Sequence, residues 1–228
     1  MALYFLRMDH RITSLQVQKR NPNRVSIYLD GNYAFSVSRI VGAWLQIGQE
    51  LSDENIAALQ QQETQEAALQ KAILLLSYRP RSEAEIRKKL ETGGFEPEVI
   101  ATAIERLRSN GLIRDESFAQ SWVESRDTFH PRSRKMLAYE LRQKGVAEDT
   151  IQQTLGESRE DGDLAYEAAT HYARKLVRTE WDEFRRRLTS FLARRGFSYE
   201  TAAPVVRQVW QEIRSGVGDV QNSDDEDY

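Results

Sequence analysis

The feature that most constrains this chain is a step of 51 residues that brings apolar positions and glycines into register three times. Leu90, Leu141 and Leu192 form one such set, and Gly94, Gly145 and Gly196 another. Phe95, Val146 and Phe197 keep the step, as do Ile86, Leu137 and Leu188, then Ile104, Leu155 and Val206. Pro80 and Ser82 recur as Pro131 and Ser133. A fixed period of this size marks tandem structural units, each too small to hide its apolar face alone.

Each unit reads as three helices. In the first, Ala68, Leu69, Ala72, Ile73 and Leu76 form a stripe at helical spacing, and Pro80 ends it. Ser82 is placed to cap a second helix, with Glu85 completing a capping box and Ile86 and Leu90 as its buried pair. Gly94 accepts the left-handed conformation that stops this helix, and Phe95 can close over its end. Pro97 opens a third helix that buries Ile100, Ile104 and Leu107 and ends at Asn110-Gly111. Asp115 is expected to cap the next unit, whose stripe holds Phe118, Ala119, Trp122 and Val123. The third unit runs from Leu164 through Trp181 to Trp210. Stacked units predict a mainly α protein, an elongated curved rod of three tandem three-helix repeats.

The patterning ahead of the repeats differs. Thr13, Leu15 and Val17 share one parity, as do Val25, Ile27 and Leu29, then Tyr33, Phe35 and Val37. Period-2 runs broken at Asn21-Pro22-Asn23 and Asp30-Gly31-Asn32 predict a small three-stranded antiparallel β meander, with Gly31 and Asn32 tolerating positive φ. Ile40, Val41, Trp44 and Leu45 are expected to cover its apolar face, and the repeat array is not expected to depend on it. The expected division is 1–52 for the β element and a short helix, 53–115 for a polar connector and first repeat, 116–160 and 161–216 for the second and third repeats, and 217–228 for an acidic disordered tail. The connector, Gln60 to Glu66, reads as either helix or a short break.

Several function classes fall away on composition. With no cysteine there is no disulfide, thiolate metal site or thiol nucleophile. His10, His130 and His171 lack metal-ligand spacing. No Gly-rich phosphate loop, HExxH or GxSxG sequence is present, so neither an enzyme nor a cofactor is expected. No apolar run approaches membrane-spanning length, and Arg7, Asp9 and His10 break the apolar start, so no signal peptide and a cytoplasmic protein are expected, with Met8 as an alternative start.

The net charge of −3 averages two unlike parts. The last ten residues hold five acids and no base, and removing them leaves a body of +2. Basic clusters recur around the second helix of each unit: Arg79, Arg81, Arg87, Lys88 and Lys89; Arg132, Arg134, Lys135, Arg142 and Lys144; and Arg185, Arg186, Arg187, Arg194 and Arg195. Any one cluster reads equally as an ordinary solvated face. Their recurrence on one element would align them in a strip able to follow phosphates or an acidic protein surface. Trp44, Trp122, Trp181 and Trp210 fall on apolar stripes and are expected in cores rather than on bases.

The run Arg79-Pro80-Arg81-Ser82-Glu83-Ala84-Glu85-Ile86-Arg87-Lys88-Lys89-Leu90, then Gly94-Phe95, then Gly111-Leu112-Ile113-Arg114-Asp115-Glu116-Ser117-Phe118-Ala119, resembles the RecX family over roughly residues 66–214. Leu137, Leu141, Gly145 and Val146 supply the same pattern in the second unit. The resemblance implies a monomeric regulator, mainly an inhibitor, that binds the RecA–single-stranded DNA filament and modulates its ATPase, strand exchange and extension. It places the protein in DNA repair, homologous recombination and the SOS response, with single-stranded DNA contacted weakly or indirectly. The chain departs from the family pattern by its β meander, which is not part of the three-repeat core, and by its acidic tail. The alternative is a helical-repeat nucleic-acid-binding module unrelated to the recombinase.

Overall fold

The computed structural model describes residues 9–221. The readings of the first eight residues, and the acids Asp224, Asp225, Glu226 and Asp227 of the expected tail, lie outside the described residues. The chain divides into two compact units, before and after the junction of Ile113 and Arg114.

The first unit opens with strands β1 (Asp9–Gln18), β2 (Asn21–Leu29) and β3 (Asn32–Ser38), the expected antiparallel meander. A short fourth strand, β4 (Glu50–Ser52), joins the free edge of β1, giving the order β3-β2-β1-β4. The three-stranded meander is as expected, and β4 adds a short strand to its edge. Leu51 sits alone among polar neighbours, too short a run to show alternation. The β2–β3 turn has Asp30 and Gly31 at positive φ, rather than Gly31 and Asn32. Asp30 is held by His10 Nδ1 and by the Arg11 backbone N–H, which favours its tight geometry.

Two bulges change which side chains face inward. One, between Ile12 and Ser14, lets Ile12 rather than Thr13 enter the core. Thr13 instead accepts from Gly31 N and donates to the Tyr28 carbonyl. Val17 is exposed. The other, opposite Ile27 and Tyr28, puts Tyr33 on the far face from Phe35 and Val37. The sheet core is Ile12, Ile27, Leu29, Val37, Val41 and Leu51, closed by Leu45, Ile56 and Leu59. The four-residue helix α1 (Arg39–Gly42) contributes Val41 to this cover, while Ile40 and Trp44 point to solvent, Trp44 being 85% exposed.

Helix α2 (Asp53–Tyr78) resolves the connector as helix and runs unbroken into the first repeat. Ser52 caps it by accepting from Asn55 N. Its early turns cover the sheet through Ile56 and Leu59, and Glu63 accepts from Ser38 N and pairs with Arg24. Its later turns carry Ala68, Leu69 and Ala72 into the first repeat's core with α3 (Glu83–Thr92) and α4 (Pro97–Ser109). The β element and the first repeat therefore share a helix.

The second unit holds two repeats: α5 (Asp115–Phe129), α6 (Arg134–Gln143) and α7 (Glu148–Gly156), then α8 (Asp161–Ala173), α9 (Trp181–Arg194) and α10 (Tyr199–Gln221). Asp115 is the first helical residue of α5; the cap position is Arg114. Phe118, Ala119 and Val123 pack with Leu137, Leu141, Ile151 and Leu155 in one core. Leu164, Phe184, Leu188, Leu192 and Val206 anchor the other.

The 51-residue step has a clear local cause. Gly94, Gly145 and Gly196 lie at φ +81°, +75° and +90°. Each donates to the carbonyl three residues back, and the next residue donates to the carbonyl five back: Phe95 to Leu90, Val146 to Leu141, Phe197 to Leu192. This is a Schellman closure, with its apolar contact between the residue after glycine and the last buried leucine. Ser82 and Ser133 cap the helices that end this way, accepting from Glu85 N and Met136 N. Within the second unit, the Gly196 turn meets the start of α6: Ser133 N donates to the Arg195 carbonyl, and the Arg195 guanidinium to the Pro131 carbonyl.

Candidate functional site

The recurrent basic residues separate by what their head groups touch. In the first repeat, Arg79 makes two hydrogen bonds to Glu85, and Arg81 donates to the Leu75 carbonyl at the end of α2. Arg87 pairs with Glu83, one turn earlier on α3, and Arg108 of α4 reaches the same carboxylate. Burial pushes Glu83 upward, but the hydrogen bonds from Arg108 and Arg87 outweigh it and hold the carboxyl below its ordinary value. Lys88 and Lys89 are exposed and, among the described residues, have no partner.

The second repeat spends more of its cations on structure. Glu140 of α6 is nearly buried and receives Trp122 Nε1, Arg126 and Arg132. Burial, and secondly the Arg126 charge, hold the Arg132 guanidinium below its ordinary pKa. Arg134 donates to the carbonyls of Ser158 and Arg159 and to Glu160, tying the start of α6 to the α7–α8 link. Arg142 forms two 2.7 Å hydrogen bonds to Glu148, whose carboxyl they pull down to about 2. Lys144 lies over the Trp122 ring. Lys135 is exposed and unpartnered among the described residues.

In the third repeat Arg195 is structural, stacked on Phe191 and bonded to Pro131; burial, then the Arg132 charge, lower its pKa. Arg187 pairs with Glu183, Arg194 donates to Ser190, and Arg185 lies 3.6 Å from Asp182. Arg186 has no partner among the described residues and borders an open groove of about 980 Å³ between α9 and α10. Thr189, Ser190, Ala193 and Ala203 keep that groove open because they are small, and Trp181 and Tyr199 stand in its walls. Arg207, which sequence reasoning missed, joins Arg186 there. Its signal was available: Tyr199, Ala203, Val206 and Arg207 share one face of α10 at spacings of four, three and one. Trp122, Trp181 and Trp210 pack against repeat cores as expected; Trp44 does not.

The exposed, uncommitted cations of the three second helices are thus Lys88, Lys89, Lys135 and Arg186, one or two per repeat. The described residues hold no His/Cys/Asp/Glu grouping suited to a metal and no helix long and apolar enough to cross a membrane.

Four RecX family descriptions match in chain order: the regulatory protein RecX N-terminal domain over residues 10–52, and the first, second and third three-helix domains over 68–107, 115–155 and 160–206. The β element, expected as a departure from the family, is itself one of the family's domains. The regulatory protein RecX of Bacillus subtilis (strain 168) is 32% identical over 206 residues, spanning 88% of this chain and 78% of the relative. That of Clostridium botulinum (strain Alaska E43 / Type E3) is 28% identical over 204 residues, spanning 87% and 95%. A crystal structure of regulatory protein RecX superposes with a TM-score of 0.67 at 28% identity, covering 86% of this chain and 98% of the other. RecX from Lactobacillus salivarius, 21% identical with a TM-score of 0.54, shares the fold over 66% of this chain.

Proposed function

The chain belongs to the RecX family, and from that premise we propose that it is a non-enzymatic regulator, mainly an inhibitor, of the RecA recombinase. In this reading it binds the RecA–single-stranded DNA filament as a cytoplasmic monomer and restrains ATPase, strand exchange and filament extension. The observation that carries the reading is the recurrence of uncommitted cations on the second helix of every repeat, beside arginines already committed to the fold. Lys88, Lys135 and Arg186 are the residues available to an anionic partner; Arg81, Arg132, Arg134 and Arg195 serve the repeats themselves.

The test is DNA-dependent RecA ATPase with the purified protein added. Equimolar protein is expected to lower the rate while hydrolysing no nucleotide alone. The triple variant Lys88→Glu, Lys135→Glu, Arg186→Glu should lose co-sedimentation with filaments and keep the wild-type melt, since none of the three has a partner among the described residues. An unchanged ATPase rate with wild-type protein refutes the function. Full filament binding by the triple variant refutes the surface. Retained filament binding at salt that abolishes binding to naked single strands separates this reading from a nucleic-acid module, whose phosphate contacts weaken steeply with salt.

A further inference from the structure

The sheet of the N-terminal element has an outer face that the repeats do not explain. From β1 it presents Ser14, Gln16 and Gln18, from β2 Ser26 and Tyr28, and from β3 Tyr33 and Ser36. All seven are uncharged, and all can donate and accept hydrogen bonds. They form a connected layer: Gln18 Nε2 donates to Ser26 Oγ and Ser36 Oγ, the two serines lie 3.3 Å apart, and the Tyr33 hydroxyl meets Ser36 Oγ at 3.1 Å. Tyr28 and Tyr33 stand edge to face, 5.9 Å between centroids, with Tyr33 59% exposed. The bulge described above is what takes Tyr33 out of the core and sets it there. Bulges are a recurrent way of re-aiming one side chain at a functional surface.

Arg24 shares this face by register with Ser26 and Tyr28 and is paired with Glu63, and Arg11 and Glu50 are register partners where β1 meets β4. Asp30, at the β2–β3 turn, is committed to His10 and the Arg11 N–H. The β1–β2 turn carries Lys19 and Arg20, both exposed and unpartnered among the described residues. We infer that this face is a binding site for single-stranded nucleic acid, separate from the cations of the second helices. Tyr33 and Tyr28 supply the stacking platform, the serine and glutamine layer meets base edges and sugar, and Lys19 and Arg20 hold phosphates. A mainly uncharged, aromatic-bearing sheet face with cations at its margin suits an unpaired strand, because bases need π faces and neutral hydrogen bonders while the backbone needs positive charge. From Tyr28 to Asn21 the strand runs roughly 24 Å, room for a short run of nucleotides.

The experiment uses the full chain and an oligothymidine of about twelve nucleotides carrying a fluorophore, read by anisotropy across a salt series. Tyr33→Thr keeps a β-favouring residue and removes the ring, and should weaken binding about five- to hundred-fold, the loss of one stacked base. Tyr33→Phe keeps the ring and should bind within about twofold of wild type. Lys19→Glu with Arg20→Glu should reduce the slope of log affinity against log salt by about 1.4, two phosphate contacts' worth. A 4-thiothymidine oligonucleotide should crosslink to the peptide containing Tyr28 and Tyr33, in wild type and in the triple variant Lys88→Glu, Lys135→Glu, Arg186→Glu alike. That control separates the site from the filament-binding surface. Unchanged affinity in Tyr33→Thr with a wild-type melt overturns the proposal, as does crosslinking confined to the repeats. If the charge reversal matters but Tyr33→Thr does not, and polyglutamate displaces the probe, the face takes an acidic protein and the proposal fails. Should Tyr33→Thr not fold, the salt slope of the turn variant and the crosslink map decide.

Discussion

Alanine at Gly196 and at Gly94 should differ in cost although the two glycines are equivalent by sequence. Both sit at positive φ, +90° and +81°, so each alanine takes on left-handed strain of about 1–2 kcal/mol. At Gly94 a Cβ would have no heavy atom within 4 Å. At Gly196 it would lie 2.5 Å from Ser133 Oγ and 2.8 Å from Met136 Cβ. Ser133 is the buried cap of α6, and its Oγ accepts from Met136 N. The clash therefore adds overpacking, on the order of 1–3 kcal/mol. The expected losses are about 1–2 kcal/mol for Gly94→Ala and about 2–5 kcal/mol for Gly196→Ala. Urea titration followed by circular dichroism measures both. Tryptophan fluorescence reports mainly on the second, because Trp122, Trp181 and Trp210 lie after the unit boundary while Trp44, in the first unit, is already 85% exposed when folded. Equal losses at the two glycines would refute the close seating of the Gly196 turn against α6.

Three further outcomes are expected. Leu141→Ala should destabilise the second unit by about 2–5 kcal/mol, since Leu141 is fully buried and anchors a helix closure; a loss below about 0.5 kcal/mol in chemical denaturation would contradict its place in the core. Arg134→Ala should cost about 1–3 kcal/mol by leaving the Ser158 and Arg159 carbonyls without their donor, and an unaltered melt would return Arg134 to the partner surface. Asp127→Asn should raise the melting temperature at neutral pH. Burial raises the Asp127 pKa, with Arg159 opposing and Glu167 adding to the rise, and one carboxyl oxygen is buried without a partner. The folded state thus holds the proton more tightly than the unfolded, so ionised Asp127 opposes folding above its raised pKa. That penalty disappears below the unfolded value, and the advantage of the variant should vanish as the pH falls through the carboxylate range. A lower melting temperature for the variant at neutral pH would contradict it.

The repeats were legible because their signal is redundant. Leucine, glycine and cap residue recur at one step, and each has a single structural job, so Leu90, Leu141 and Leu192 could be placed before any coordinates. The sheet was legible only in outline. Alternation assigns a face by counting, and one inserted residue inverts the count: counting puts Thr13 and Tyr33 on the core face, and both lie beside bulges that turn them outward. Trp44 was misplaced for a related reason. A four-residue helix sets too little of the local geometry for helical spacing to predict burial. Among the basic residues, charge was visible and commitment was not. Arg134 and Lys135 are adjacent and chemically alike, yet one holds carbonyls 24 and 25 residues away and the other faces water. Such pairings depend on which distant backbone ends nearby, a tertiary fact that no local pattern encodes.

Helix α2 also sets a phase. Its sheet-side contacts end at Glu63 and its repeat-side contacts begin at Glu66, which pairs with Arg106 of α4. Only Thr64 and Gln65 lie between, so the two attachments are clocked by a fixed fraction of a helical turn. One residue inserted after Thr64 would swing the sheet about 100° around the axis of α2 relative to the first repeat and advance it by about 1.5 Å. A four-residue insertion would move it about 6 Å along the axis yet bring it back to within about 40° of its original bearing. The azimuth at which the sheet is presented and its distance along the helix can therefore be varied separately in this protein, without altering any residue of either surface.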